Sequence, residues 1–443
     1  MQFILKLLKE VLNRLSNIYK KEFVDELLST KVSVDESEDV IEGLAEVRKR
    51  EDKIIQDNID SGKAYDEALS NVIKWQSYAA AMQSMVDDET AIQIAEEFEK
   101  AAEEYLKDPT VSKEWATKND ADGNFSTTNP YYYESPTAPI VDFSVKYAIG
   151  NTAYGVGCFN KQIDVPVFLP GAENISAIFG VLSTNPILFA PNAVKVTTAF
   201  ANATAYDRPI SFPKATNASY MLSGARSFNS NIYLPNATDC NYLLVNAVLF
   251  NKPLSLPKAN NCQQLLRGST AFNQPLSLPN ATNCALLFYT ASAFNQPLSL
   301  PKATNCLSLL YLATSFNSPL DIPNATDCGN LCQQATSFNQ PVYLPKCKTA
   351  ANAFLVTSMN AANIAATLNS LPVWTDGDLH VITFTRSPGI ASTSTTETFT
   401  VTGEDGTEYS LENCPIFNTD DEAQTLRKAF VLAVVKKGWT VEL

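Results

Sequence analysis

The sequence predicts an α+β chain with three parts: an N-terminal helical head, a central solenoid of about nine 22-residue coils, and a small α/β cap at the C-terminal end. Three observations predict it. The pair Phe-Asn recurs at 228, 250, 272, 294, 316 and 338, always 22 residues apart. A proline follows each copy at a fixed distance, from Pro170 through Pro191, Pro213, Pro235, Pro257, Pro279, Pro301 and Pro323 to Pro345. The charge is uneven: residues 1–110 hold 14 Lys+Arg and 25 Asp+Glu, whereas the whole chain of 443 residues carries −14.

Residues 1–108 read as three or four helices. Phe3, Leu7, Val11, Leu15 and Ile18 belong to an i, i+3, i+4 apolar stripe. Lys6, Lys9, Glu10 and Arg14 break any signal-peptide core, so this start is expected to be an amphipathic helix. Val40, Leu44, Val47 and Ile54 form a heptad-like seam that Glu51 interrupts. Two readings stand side by side: a self-contained bundle, or a foot that docks into a larger assembly or trimerises. Residues 109–162 are poor in helix formers. They are expected to be a linker, with Tyr131-Tyr-Tyr133 in it, and an N-terminal cap over the solenoid's open edge.

Residues 163–359 form the solenoid. Tyr206-Asp207, Thr184-Asn185 and Ile163-Asp164 are degenerate early copies of Phe-Asn. In each coil a segment such as Leu276-Ser-Leu278 alternates as a half-buried strand does. Pro279 then stops the strand because it has no N–H to donate. Leu286, Leu287 and Ala291 are expected to fill the interior on the return path. One coil cannot bury this face alone, but stacked coils can. Two ladders follow from the period. Asn217, Asp239, Asn261, Asn283, Asn305 and Asp327 share one position, where stacked amides satisfy backbone groups of adjacent turns. Cys240, Cys262, Cys284, Cys306 and Cys328 share the next, as small buried hydrophobes that stay reduced. Parallel-pointing thiols and an odd total of nine Cys argue against a disulfide framework.

The unit Leu-Ser-Leu-Pro-x-Ala-Thr-x-Cys, opened by Phe, resembles the BspA-like leucine-rich repeats of bacterial surface proteins and phage virion proteins over roughly residues 160–360. Residues 360–443 are similar to the ends of such proteins: a helix around Asn363–Leu368, a strand with Ile382-Thr-Phe-Thr, and a final Lys437-Gly-Trp-Thr-Val. The resemblance implies a leucine-rich-repeat solenoid used for adhesion or recognition, with no reaction. Within the cap, Gly403-Glu-Asp-Gly406 signals a hairpin between Thr396–Thr402 and Thr407–Leu411. Asn418 or Thr419 is expected to cap a last helix that stops at Gly438.

Chemistry is sparse. His380 is the only histidine, which nearly excludes triads and His-based metal sites; it is expected half-exposed in a strand. Cys328 and Cys332 lack a second ligand pair for zinc. Gly150-Asn-Thr-Ala-Tyr-Gly155 lacks the Lys-Ser/Thr of a phosphate loop. Asn202, Asn236, Asn280 and Asn324 begin Asn-Ala-Thr sequons that the repeat itself explains. No cofactor, metal or catalytic residue is expected, and the acidic balance disfavours nucleic acid. No run of about 18 apolar residues predicts a membrane span.

These features point to a non-enzymatic phage virion protein, of fibre or decoration type. Its helical N-terminus would anchor it, by binding other virion proteins, as a homo-oligomer with a trimer favoured. Its solenoid would face a host-surface protein or glycan. The alternative is a bacterial cell-surface or exported adhesin. Ser255, Ser277 and Ser299 on the strand side, and the tips Asn273-Gln274 and Asn295-Gln296, are the candidate recognition surface.

Overall fold

The computed structural model describes residues 140–141, 145–149, 158–159, 162–179, 182–385, 390–403 and 406–442. The chain divides into two compact units, 1–72 and 73–443, and the described residues belong to the second. The expected helical head and the linker up to residue 139 lie outside them.

Short parallel strands recur, from β2 on every 21 or 22 residues: β1 Ile140–Val141, β2 Val167–Phe168, β3 Leu188–Phe189, β4 Ile210–Ser211, β5 Ile232–Tyr233, β6 Leu254–Ser255, β7 Leu276–Ser277, β8 Leu298–Ser299 and β9 Leu320–Asp321. The first residue of each strand from β2 on is buried and, from β3 on, the second is half-buried, as a two-residue period requires. β1 pairs in parallel with β2, and Tyr147 and Phe159 bridge to Asn174 and Phe179. Parallel stacking therefore begins before residue 163.

The return path carries more of the inter-coil bonding than the strands do. The N–H groups of Cys262, Gln264, Leu266 and Gly268 donate to the carbonyls of Asn283, Ala285, Leu287 and Tyr289 at 2.9–3.0 Å. The residues that follow the last three donate back three positions: Leu265 to Cys262, Arg267 to Gln264 and Ser269 to Leu266. Each buried donor on this path is thus satisfied. The alternation requires two left-handed residues per coil. Tyr242, Gln264, Leu286, Ser308 and Asn330 hold one such position at φ 52–59°, and Asn246, Gly268, Thr290, Leu312 and Gln334 hold the other at φ 57–72°. Each sits third in a hydrogen-bonded four-residue turn, where a type II turn needs positive φ. Leu286 is consequently half-buried and turned off the interior, which corrects its expected place; Phe288 fills the core with Leu287 and Ala291.

The core is an aromatic column. Tyr206, Phe228, Phe250, Phe272, Phe294, Phe316 and Phe338 stack coil to coil with ring centroids 5.6–6.3 Å apart. Phe354 and Phe384 extend it into the cap at 6.2 and 5.1 Å. Such pairs add roughly 0.5–1.5 kcal/mol each beyond area burial.

The cap continues the stack. β10 Ala350–Phe354 pairs in parallel with β11 His380–Phe384, which pairs with β14 Trp439–Glu442. Helix α1, Ala361–Ser370, begins at Asn360, whose side chain accepts the Asn363 N–H. It lies across the strand edge of the last coil. There Thr367 Oγ1 accepts the Val342 N–H at 3.0 Å and Ser370 Oγ accepts the Leu344 N–H at 2.9 Å. In every second earlier coil the equivalent donors reach a following strand, as the Leu298 and Leu300 N–H groups reach the Pro319 and Asp321 carbonyls. Two hydroxyls thus close an edge that would otherwise invite pairing. The predicted hairpin is present and longer than expected, β12 Ile390–Thr402 against β13 Glu408–Phe417. Helix α2, Asp421–Val431, is capped by Asp420, not by Asn418 or Thr419, because its carboxylate accepts the Ala423 N–H at 2.9 Å. A π-helical segment, Leu432–Lys436, follows, and Gly438 at φ 74° turns the chain into β14.

His380 is buried, not half-exposed as the alternation of its strand suggests. The cap folds Trp374 and Trp439 over it, with centroids 4.8 and 5.6 Å from the imidazole. Nδ1 lies 2.8 Å from the Lys348 carbonyl and Nε2 lies 2.9 Å from Asp376 Oδ1. A carbonyl only accepts, and so does an ionised carboxylate, so both ring nitrogens carry protons and the ring is an imidazolium. Burial pulls its pKa down, but the Lys348 carbonyl and Asp376 outweigh burial and hold it above 6.5. The hydrogen bond from His380 holds the Asp376 carboxyl below its ordinary range.

Two outcomes follow. Thr367→Val leaves the Val342 N–H buried without a partner and should cost about 1–3 kcal/mol in denaturant unfolding; Thr367→Ser should cost much less, and equal losses would show that the hydroxyl is irrelevant. A raised histidine pKa stabilises the fold below the unfolded value and ceases to do so as pH rises through the folded value. Thermal midpoints should therefore fall as pH climbs through that raised value, and Asp376→Asn should flatten the trend. The carboxylate's own contribution is present above its ordinary pKa and is lost as pH falls through the lowered one.

Candidate functional site

A tandem repeat allows each coil to be compared with its neighbours. Positions filled alike in every coil serve the fold, and outward positions that vary are free of it. The tips belong to the first kind. Asn185, Asp207, Asn229, Asn251, Asn273, Asn295, Asn317 and Asn339 each accept, through Oδ1, the backbone N–H of the matching residue one coil later, at 2.7–3.1 Å. The last of these reaches Asn360, the cap residue of α1. Asn273 and Asn295 are therefore rungs of a continuous side-chain ladder. Gln296 Nε2 donates to Asn273 Oδ1 at 3.2 Å, and Gln274 is half-buried beside it.

Ser255, Ser277 and Ser299 are half-buried and point outward from their strands; Ser299 Oγ donates to Asp321 Oδ2 at 2.8 Å. The ladder of Asn217, Asp239, Asn261, Asn283, Asn305 and Asp327 lies on the return path, one parallel bridge per coil. Asn283 Nδ2 donates to Asn261 Oδ1 and Asn261 Nδ2 to Asp239 Oδ1, each at 3.1 Å. Asp239, an acceptor only, is flanked by amide donors on both sides.

Cys240, Cys262, Cys284, Cys306 and Cys328 are fully buried and unpaired by disulfides, as are the other four cysteines. Burial pushes the Cys240 and Cys284 thiols up to about 12, and Cys262 and Cys306 well above 9.0 for the same reason. Thiols in that state are poor nucleophiles and poor metal ligands. Among the described residues no group of His, Cys, Asp and Glu is placed to hold a metal ion. The sequon amides are also engaged: Asn236, Asn280 and Asn324 donate from Nδ2 to Pro213, Pro257 and Pro301 carbonyls at 2.6 Å.

The variable positions converge on the outside of the return path. Tyr220 and Tyr242 stack at 4.3 Å. Tyr242 Oη accepts from Gln264 Nε2 at 2.7 Å, and Gln264 Oε1 accepts from Arg267 Nη1 at 2.7 Å. The Arg267 guanidinium lies 5.2 Å from the centre of the Tyr289 ring, which stacks on Tyr311 at 4.8 Å. Six side chains thus form one contact row across successive coils. Tyr220 and Arg267 are exposed, the other tyrosines are half-buried, and Gln264 is buried between them. Partial burial, and then the neighbouring Tyr242, raise the Tyr220 hydroxyl above its ordinary pKa. Rigid tyrosines with an exposed guanidinium suit recognition, since they offer area and hydrogen bonds at low entropic cost. Sequence reasoning missed this row because it followed the residues that repeat; the usable signal lay in those that do not.

The repeats match a family described as "Mycoplasma protein of unknown function, DUF285", over residues 191–279 and 238–346. The match, with strands at 22-residue spacing, supports a repeat of the expected kind. No curated protein and no solved structure matches the chain. Among the described residues no helix is long and apolar enough to cross a membrane.

If the tips are structural and the tyrosine row is free, stability should separate them. Asn273→Ala removes the acceptor of the Asn295 N–H and should cost about 1 kcal/mol. Tyr311→Ala, which loses a stacked neighbour on an outer face, should cost less. A larger loss at Tyr311 in urea titration would assign that row to the fold.

Proposed function

We propose that the chain is a non-enzymatic recognition protein whose solenoid displays the row from Tyr220 to Tyr311 to a host-surface protein or glycan. The observation that carries this reading is the contrast within each coil. Core, ladder and strand positions repeat, while one outward row varies and gathers tyrosines and an arginine around the buried Gln264. Binding surfaces on solenoids are extended in the same way. The setting we propose is a phage particle, with the acidic N-terminal residues as the anchor, other virion proteins as their partners, and a homo-oligomer, a trimer by preference, as the displayed form. The second reading is a bacterial cell-surface or exported adhesin.

Mass spectrometry of purified particles and of host envelopes separates the two, because the chain should be a stoichiometric component of one and absent from the other. Tyr242→Ala with Arg267→Ala and Tyr289→Ala should weaken adhesion to the target cells about tenfold with little change in melting. Undiminished adhesion would remove the row from the function.

A further inference from the structure

The chain is acidic, yet residues 191–359 hold ten Lys+Arg and four Asp+Glu, a net of +6. The four acids are engaged within the solenoid. Asp207 accepts from the Asn229 N–H and Ser230 Oγ, both at 2.8 Å, Asp321 accepts from Ser299 Oγ, and Asp239 and Asp327 sit in the return-path ladder. The cations are not distributed at random. Lys214, Lys258, Lys302 and Lys346 occupy one coil position in every second coil, directly after the proline, and all four are exposed. Asn192, Asn236, Asn280 and Asn324 fill the same position in the coils between.

The geometry at each step is the same. Each lysine Nζ donates to the Oδ1 of the asparagine one coil earlier at 2.6 Å. That bond engages one of the three ammonium N–H groups. Among the described residues none of the four lysines has a carboxylate partner. Successive ammonium groups are two coils, roughly 10 Å, apart. The asparagines keep like charges from stacking at adjacent coils and hold the row straight. Two residues beyond five of these eight positions, Thr216, Thr238, Thr282, Thr304 and Thr326 add hydroxyls, and Asn260 stands at that place after Lys258.

We propose that this lysine row is a docking track for a linear anionic polysaccharide, one acidic group of each repeat meeting one ammonium and the sugar hydroxyls meeting the threonine hydroxyl oxygens beside it. Charge complementarity selects a polyanion, and the spacing selects one with sparse, regular charge. Duplex DNA presents a phosphate charge about every 1.7 Å of axis. Single strands are held by aromatic stacking, and the residues flanking these lysines are proline on one side and alanine or, after Lys346, cysteine on the other. The track is separate from the tyrosine row and holds whichever surface displays the protein.

Biolayer interferometry of the full chain on immobilised hyaluronate, which bears one carboxylate per disaccharide, tests this, with neutral dextran and duplex DNA beside it. The expected result is binding to hyaluronate alone that weakens steeply with salt. Changing all four lysines to glutamine should weaken it at least tenfold, and changing all four to arginine should preserve it. If the glutamine variant fails to melt cooperatively, Lys258→Gln with Lys302→Gln supplies the comparison. No hyaluronate binding, equal binding by the glutamine variant, or duplex DNA bound as tightly would each overturn the proposal.

Discussion

Backbone hydrogen-bond satisfaction between coils is the constraint on which this structure rests. A coil of 22 residues has no core of its own, and its return path is irregular backbone with many buried residues. Such backbone survives only if each N–H finds an acceptor. Here alternate donors go forward to the next coil and the remainder close short turns. That pattern dictates two left-handed residues per coil. Leucine, threonine and glutamine occupy these positions as well as glycine and asparagine. A left-handed non-glycine residue costs of order 1 kcal/mol. The coil tolerates this because bonds on both sides over-determine the backbone. Stacking is thus the condition under which the local conformation exists at all.

The same constraint explains the side-chain ladders and the two-coil period. The asparagine tips supply an acceptor to one backbone donor per coil where no carbonyl is in reach. Strand pairing is assigned between β4 and β5, β6 and β7, and β8 and β9. At the steps between those pairs, the Lys–Asn bonds cross from coil to coil. Lysine alternates with asparagine because a lysine in every coil would stack like charges about 4.8 Å apart. One position therefore serves the fold through its amide and leaves a regular charge on the surface.

A stack of this kind has to end, and its C-terminal end is closed by substitution of one acceptor for another. The hydroxyls of Thr367 and Ser370 stand where the next strand's carbonyls would be. The aromatic column runs on into Phe384, so cap and solenoid share one core. Lys437 Nζ donates to the Leu368 and Asn369 carbonyls at the end of α1, at 3.2 and 2.5 Å. Both indole N–H groups around His380 are also satisfied, by the Cys347 and Pro372 carbonyls. The one histidine works as a charged clasp in this cap, which accounts for its burial.

The period, the strand positions, the proline stops, the ladder positions and the burial of the cysteines were legible in the sequence, because repetition exposes any residue that every coil needs. The hairpin and the last cap helix were legible from Gly403, Gly406 and the acidic turn at 420–422, and the first cap helix from the resemblance alone. The handedness of Leu286, the burial of His380 and the structural duty of Asn273 and Asn295 were not. Leucine has no left-handed preference to read, the alternation of β11 cannot show that two indoles fold over it, and an asparagine looks the same whether its acceptor is spent or free. Most of the candidate site was hidden for a related reason. Tyr220, Tyr242, Gln264, Arg267, Tyr289 and Tyr311 occupy two different coil positions, and only coiling brings 264 beside 242 and 267 beside 289. Sequence by itself determined the repeat and what fills it; contacts between coils, which exist only once the chain has wound, decided which polar groups are consumed and which remain for a partner.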